Sequence, residues 1–315
     1  MTIGKSDRKK LVKALTIIII FIIAALSKTY NRQHVSKEAE GELIVHMIDV
    51  GQADSFLLVQ GDQVALVDCG TRSSGKDVVA YLQRLGITKI NYLFGTHPHD
   101  DHMGGMYDVI TNFEIETIII PEVKNGEVTA NWYLKLMKEI RDGGYQVEHP
   151  RLDMVYHIGD ADIKVIGPIS KPVNNVNNYS IVLKVSFGEM DMIMTGDAEK
   201  AVEREILEAG YDIEAEILKL GHHGSDTSSS AEFLDAIDPE YALVSAGVGN
   251  KYDHPIESVM EEMEERDIKL YRTDESGTVI LLITSDDVSF NCEPGDYLSG
   301  TQLEERSQKW EAMQR

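Results

Sequence analysis

The chain has 315 residues, 43% hydrophobic and 26% charged, with a formal net charge of −23 at pH 7. That composition suits a globular protein with room for one large or two medium domains, and the acidic balance argues against a broad basic nucleic-acid face. Two cysteines, Cys69 and Cys292, exclude a disulfide framework, and Cys69 inside the apolar run VALVDCG reads as a small buried thiol.

Lys5, Arg8, Lys9, Lys10 and Lys13 precede the charge-free run 14–26, ALTIIIIFIIAAL. This predicts an N-terminal apolar helix over residues 1–28 that directs export, with the body of the chain outside the cytoplasm. The run is shorter than the ~20 residues of a usual spanning helix, although Ser27 and the stems of Lys13 and Lys28 extend it. A cleaved signal peptide, giving a secreted protein, and an uncleaved single-pass anchor both fit. Beyond residue 28 there are 24 Lys and Arg against 52 Asp and Glu, a net −28.

A polar linker over 29–40 leads into β-rich runs at 43–50, 54–60 and 63–69, joined at Gly51 and Gly61. A helix follows from Lys76 to Leu85, closed by Gly86, then a short buried strand over 90–96. The second half repeats the theme. It has a strand over 117–121, a helix near 130–140, strands near 161–167, 179–187 and 190–195, a helix over 200–209, and strands over 213–220 and 241–246. Strands with interspersed helices in both halves predict an αββα sandwich of two mixed β-sheets, one domain over 41–288. The remaining 289–315 reads as a charged, solvated tail.

Directly after the 90–96 strand comes T-H-P-H-D-D-H-M-G-G. It places His97, His99, Asp101 and His102 within six residues, and imidazole with carboxylate suits Zn²⁺ or Mn²⁺. Alternate spacing lets His97 and His99 point the same way, and Asp101 with His102 turn toward a neighbouring position, so one loop can serve two metals. Gly104 and Gly105 permit tight backbone packing behind them.

This loop resembles that of the metallo-β-lactamase superfamily, and the resemblance extends over about 41–284. It implies that Asp68 in LVDCG orients the histidine loop, that Asp197 in TGDAE bridges two divalent ions, and that a histidine after LKLG completes the second position. His223 fits that place, with His222 as the less favoured choice. The superfamily's middle histidine is absent, and Asn178 in NNVNNYS stands in its place, to touch substrate or metal. That departure, with D-V-G-Q-A-D-S (49–55), N-N-Y-S, TGD, LKLGHHGS, N-K-Y-D-H-P (250–255) and R-T-D-E-S-G (272–277), is similar to the extracellular hydrolase domain of ComEC-type DNA-uptake proteins.

The resemblance implies a metal-dependent hydrolase, with ions that generate a water nucleophile near neutral pH. Its substrate class is a phosphodiester such as single-stranded DNA. Asp101 and Asn178 are candidates beside the reacting centre, and His254 is the candidate for leaving-group protonation. Asp49, Gln52, Asp54 and Ser55 form either site contacts or plain turns, and Arg272 can pair with Asp274. Rival functions are a cell-wall phosphocholine esterase, a lactonase or another small-molecule esterase, and, in a different class, a non-catalytic accessory of DNA uptake.

Overall fold

Strand β1 (Leu43–Met47) is buried along its whole length, and alternation decides what each face meets. Leu43, Val45 and Met47 join an apolar layer shared with the second half of the chain, whereas Ile44 and Ile48 join a separate cluster under helices. Successive strand residues point to opposite faces, so a strand apolar at nearly every position must lie between two layers.

The computed structural model describes residues 41–314 apart from Asn125 and residues 172–174. The helix expected over 1–28 and the linker over 29–40 lie outside the described residues. No helix among the described residues is long and apolar enough to cross a membrane.

One mixed sheet runs, in spatial order, β15 (Val288–Phe290), β14 (Val279–Ile283), β1, β2 (Phe56–Gln60), β3 (Gln63–Val67), β4 (Lys89–Phe94), β5 (Glu114–Ile119) and β6 (Val147–Glu148). The other runs β13 (Lys269–Arg272), β12 (Tyr241–Val244), β11 (Ile217–Lys219), β10 (Met190–Met194), β9 (Val182–Phe187), β8 (Ala161–Gly167) and β7 (Val155–Ile158). One apolar cluster fills the space between the sheets. Two more seal their outer faces, one under the helices Gly75–Arg84, Met106–Asn112 and Asn131–Asp142, the other under Lys200–Ala209, Ala231–Ile237 and Glu257–Glu265. The result is two mixed sheets flanked by helices, as expected.

Strand direction sets where the functional loops gather. β3–β4 and β10–β11–β12 are parallel pairs, so their carboxyl ends open onto one edge of the sandwich, where side chains from separate segments can converge.

Two local expectations are corrected. The strand expected over 213–220 is paired only at Ile217–Lys219, because Ile213 and Ala215 turn into the helix-side cluster instead. The C-terminal segment is solvated only in part: residues 305–310 are exposed, but its start is docked. Residues Gly300–Gln314 form a helix whose Leu303 is 4% exposed. It is tethered by the buried Arg272, whose Nη1 donates to the carbonyls of Asp296 (2.9 Å) and Leu298, and by Thr301 N donating to Asp253 Oδ1 (2.7 Å). Arg272 also forms a bidentate pair with Asp274 at 2.9 and 2.8 Å. Sequence composition hid this docking because it depends on a few contacts, through Arg272, Thr301 and Leu303, and not on an apolar stripe.

His46 lies on the helix side of β1 with Nδ1 2.8 Å from the Tyr81 hydroxyl and Nε2 unpartnered. Burial lowers its pKa from 6.5 to about 4, so the folded chain keeps it neutral where the unfolded chain takes up a proton. Stability therefore falls as pH drops from about 6.5 toward 4, by on the order of 3 kcal/mol for this residue. In denaturant titrations of metal-free protein, His46→Phe should flatten the wild-type decline across that window; an unaltered pH slope would contradict the assignment.

Candidate metal centre

The site begins where β3 stops. Asp68 adopts a left-handed φ of 59°, which turns its carboxylate under the neighbouring strand end. Oδ1 accepts from Thr96 N (2.8 Å), and Oδ2 accepts from Thr96 Oγ1 (2.7 Å) and lies 2.7 Å from His102 Nδ1. With Nδ1 held there, His102 projects Nε2 into the edge cavity.

β4 then delivers the histidine loop. His97 is fully buried, with Nδ1 3.2 Å from Ser180 Oγ and Nε2 3.0 Å from His99 Nδ1, so two imidazole nitrogens converge on one point. The short helix Asp100–Met103 carries Asp101 and His102 inward, while Asp100 turns out to Arg72 at 2.7 Å. A Cβ on Gly105 would meet the Cys69 carbonyl at 2.1 Å, so only glycine lets this helix sit against the end of β3.

β10 delivers Asp197, 1% exposed, whose backbone N donates to Ser180 Oγ at 3.0 Å. Its two carboxylate oxygens divide the site. Oδ2 lies 3.7 Å from His97 Nε2 and 3.5 Å from His222 Nε2; Oδ1 lies 3.1 Å from His102 Nε2 and 3.8 Å from His223 Nε2. β11 ends in His222 and His223, both left-handed at φ 51° and 56°, a conformation that costs about 1–2 kcal/mol per non-glycine residue. That turn sends His223 into the interior, where Nδ1 donates to the Ser245 carbonyl (2.8 Å) and Nε2 faces Asp101 Oδ2 (3.6 Å).

The outcome is two clusters of donors, each with its atoms within 4.8 Å of one another: Asp101, His102, Asp197 and His223, and His97, His99 and Asp197. Their chemistry fits divalent cations. His102 Nε2, His223 Nε2 and Asp197 Oδ1 are buried without hydrogen-bond partners, and His102 Nε2 and Asp197 Oδ1 lie 3.1 Å apart. Each such orphan costs about 1–3 kcal/mol, and one cation satisfies all three.

Electrostatics agree. Burial opposes ionisation of Asp197, yet His102 and His223 hold its carboxyl well below the usual range. Burial likewise opposes the charge on His223, but Asp197 and Asp54 outweigh it and push this imidazole up to about 10. In the metal-free chain, protons stand where a cation would. Burial lowers His97 and His99 below their ordinary value, leaving neutral lone pairs.

A cavity of about 280 Å³ opens over both clusters, lined by Gln52, Asn177, His222, Tyr252 and His254 besides the donors. His222 thus lies on the wall, while His223 lies in a cluster. Asn178 does not reach the cavity. Residues Asn177–Tyr179 form a single tight 3₁₀ turn, which points successive side chains about 120° apart; Asn178 Oδ1 accepts from Glu199 N (3.1 Å), and Asn177 faces the site instead. His254 stacks on Tyr252 at 5.6 Å and meets His222 edge-on at 5.5 Å. Burial, helped by His223 and His222, lowers it to about 4, so at pH 7 it offers a hydrogen bond and not a stored proton.

Sequence reasoning assigned no role to Lys219. It is 1% exposed, ion-paired to the buried Asp54 at 2.6 Å, and donates to the Gly196 carbonyl at 3.0 Å, next to Asp197. Asp54 in turn lies 3.4 Å from His223 Nδ1. The available signal was a lysine inside the apolar run EILKL. Removing one partner of a buried pair strands the other charge, so Lys219→Met should cost about 3–5 kcal/mol in metal-free protein. The double variant with Asp54→Leu should recover most of that loss, and a single-variant loss under about 1 kcal/mol would refute the pairing.

The metallo-beta-lactamase superfamily profile matches residues 48–248. Curated relatives include ComE operon protein 3 of Bacillus subtilis (strain 168), 32% identical over 259 residues, covering 76% of this chain and 33% of that protein. Competence protein ComA of Neisseria gonorrhoeae is 31% identical, covering 76% and 32%, and recombination protein 2 of Haemophilus influenzae is 30% identical, covering 75% and 28%. The chain therefore spans about a third of the length of these relatives. Among solved structures, CmlA, a diiron β-hydroxylase from Streptomyces venezuelae, aligns with a TM-score of 0.52 at 14% identity, over 77% of this chain and 54% of that one, a likeness of fold. By its profile match over residues 48–248 and its 30–32% identity to these relatives over about three quarters of its length, the chain belongs to the metallo-β-lactamase superfamily of metal-dependent hydrolases, with ComEC-type competence proteins among its homologues.

Proposed function

We propose that this chain is a phosphodiesterase that cleaves single-stranded nucleic acid outside the cytoplasm, using two divalent ions, Zn²⁺ or Mn²⁺. The observation that carries the reading is the buried carboxylate of Asp197, whose two oxygens face two donor clusters beneath one open cavity. Cations held there supply Lewis acidity toward a phosphoryl oxygen and a water nucleophile active at neutral pH.

The chain's own residues supply the rest. Gln52 Oε1 accepts from Gly247 N at 3.0 Å, which orients the amide and leaves Nε2 as an unpartnered donor at the cavity. A fixed donor of this kind suits a non-bridging phosphate oxygen. Tyr252 is 51% exposed at the rim with one face on His254, and Lys251 Nζ lies 4.8 Å from its ring centroid. An aromatic platform beside one cation suits an unpaired base and its neighbouring phosphate. With a body of net −28, contact with the strand should stay short, with a shallow salt dependence. The competence and recombination names of the relatives support a DNA substrate, and the basic residues preceding the apolar run 14–26 support export, by a membrane anchor or by secretion.

Metal-stripped protein reloaded with Mn²⁺ or Zn²⁺ should cleave single-stranded DNA and bis-p-nitrophenyl phosphate, and leave phosphocholine esters and nitrocefin intact. DNA that survives while another ester is cleaved would overturn the nuclease reading. Asp197→Ala and His99→Ala should abolish turnover with folding retained. Tyr252→Ala should raise KM for single-stranded DNA by roughly 5- to 150-fold, the worth of one stacked base, without altering bis-p-nitrophenyl phosphate hydrolysis; Tyr252→Phe should behave as wild type.

A further inference from the structure

The two clusters around Asp197 are unequal. Asp101, His102, His223 and Asp197 offer four donors, whereas His97, His99 and Asp197 offer three. A divalent transition metal at a catalytic site wants three protein ligands besides exchangeable positions, and Asp197 would have to serve both clusters. The His97 side is the poorer one.

Asn177 adjoins that side. It is 8% exposed, lines the same cavity as His99 and Asp197, and its Oδ1 is buried with no hydrogen-bond partner. Its Nδ2 donates to Glu199 Oε1 at 3.0 Å. Glu199 is held from elsewhere as well, by Asn175 Nδ2 at 2.7 Å and through its own N–H by Asn178 at 3.1 Å. These bonds fix which way the amide points, because the reverse orientation would set its oxygen against a carboxylate. The free atom is therefore an acceptor. A buried acceptor without a donor costs about 1–3 kcal/mol, and a cation between it and two neutral imidazoles removes that cost.

We propose that Asn177 Oδ1 is a ligand of the ion held by His97, His99 and Asp197, in the place where the superfamily pattern has its middle histidine. This rests on the metal-dependent reading of the site. An amide oxygen is a harder donor than imidazole, so the position should favour Mn²⁺ over Zn²⁺ more strongly than it would with a histidine in that place.

The full chain, stripped and titrated with Mn²⁺, is followed by bound-metal analysis and electron paramagnetic resonance, with circular dichroism to confirm folding. Wild type should bind two ions per chain. Asn177→Ala should keep the His223-side ion and weaken the other at least tenfold. Asn177→Asp paired with Glu199→Gln, which keeps an oxygen there without setting two carboxylates together, should bind two, and Asn177→His should shift the weaker position toward Zn²⁺. Two ions with unchanged affinities in Asn177→Ala overturn the assignment, as does a folded Asn177→Asp with Glu199→Gln that behaves like the alanine variant. If Asn177→Ala does not fold, the Asp and His variants decide by the same criteria. Wild type that binds no second ion overturns the assignment and the two-ion reading together; wild type that binds two beside an unaffected Asn177→Ala overturns only the assignment.

Discussion

Everything at the open edge of this sandwich is arranged around one buried anion. Asp197 sits at 1% exposure with imidazoles from separate segments facing its oxygens. A carboxylate out of water is strongly disfavoured unless positive charge or donors surround it. The fold meets that constraint by ending β4, β10 and β11 at the same edge, so that His97 and His102 arrive from one loop and His223 from a chain position far away. In the absence of a cation, protonated His102 and His223 take that role.

The support beneath the anion is as specific as the donors. Asp68 fixes the His102 ring through Nδ1, the Ser245 carbonyl fixes His223, and Ser180 reaches both His97 and the Asp197 backbone. Lys219 balances Asp54 and grips the carbonyl of Gly196. Asp68, His222 and His223 are among the non-glycine residues held at positive φ, and ordinary conformations would aim these side chains elsewhere. Local stability is thus spent on aiming ligands, and the apolar layers on either side of each sheet hold the arrangement in place.

Much of this was legible in the sequence, for identifiable reasons. Histidines and aspartates packed into His97–His102 have no ordinary structural use, and apolar runs ending at Asp68, Asp197 and Lys219 mark strands whose ends share an edge. What escaped depends on local geometry. The 3₁₀ turn at Asn177–Tyr179 interchanges the roles of adjacent asparagines, a difference that residue types alone do not encode. The Asp54–Lys219 pair joins positions in different halves of the chain, and each member looks ordinary in its own segment. The helix at Gly300–Gln314 docks through so few buried contacts that its composition reads as solvated.

On the proposed reading, Asp197 is shared between two ions with different surroundings. Crystals of the Mn²⁺-loaded chain measured at the manganese absorption edge test it directly. Two anomalous peaks should flank the Asp197 carboxylate, one among Asp101, His102 and His223, the other beside His97 and His99. A single peak, or two that do not both contact Asp197, would contradict the claim.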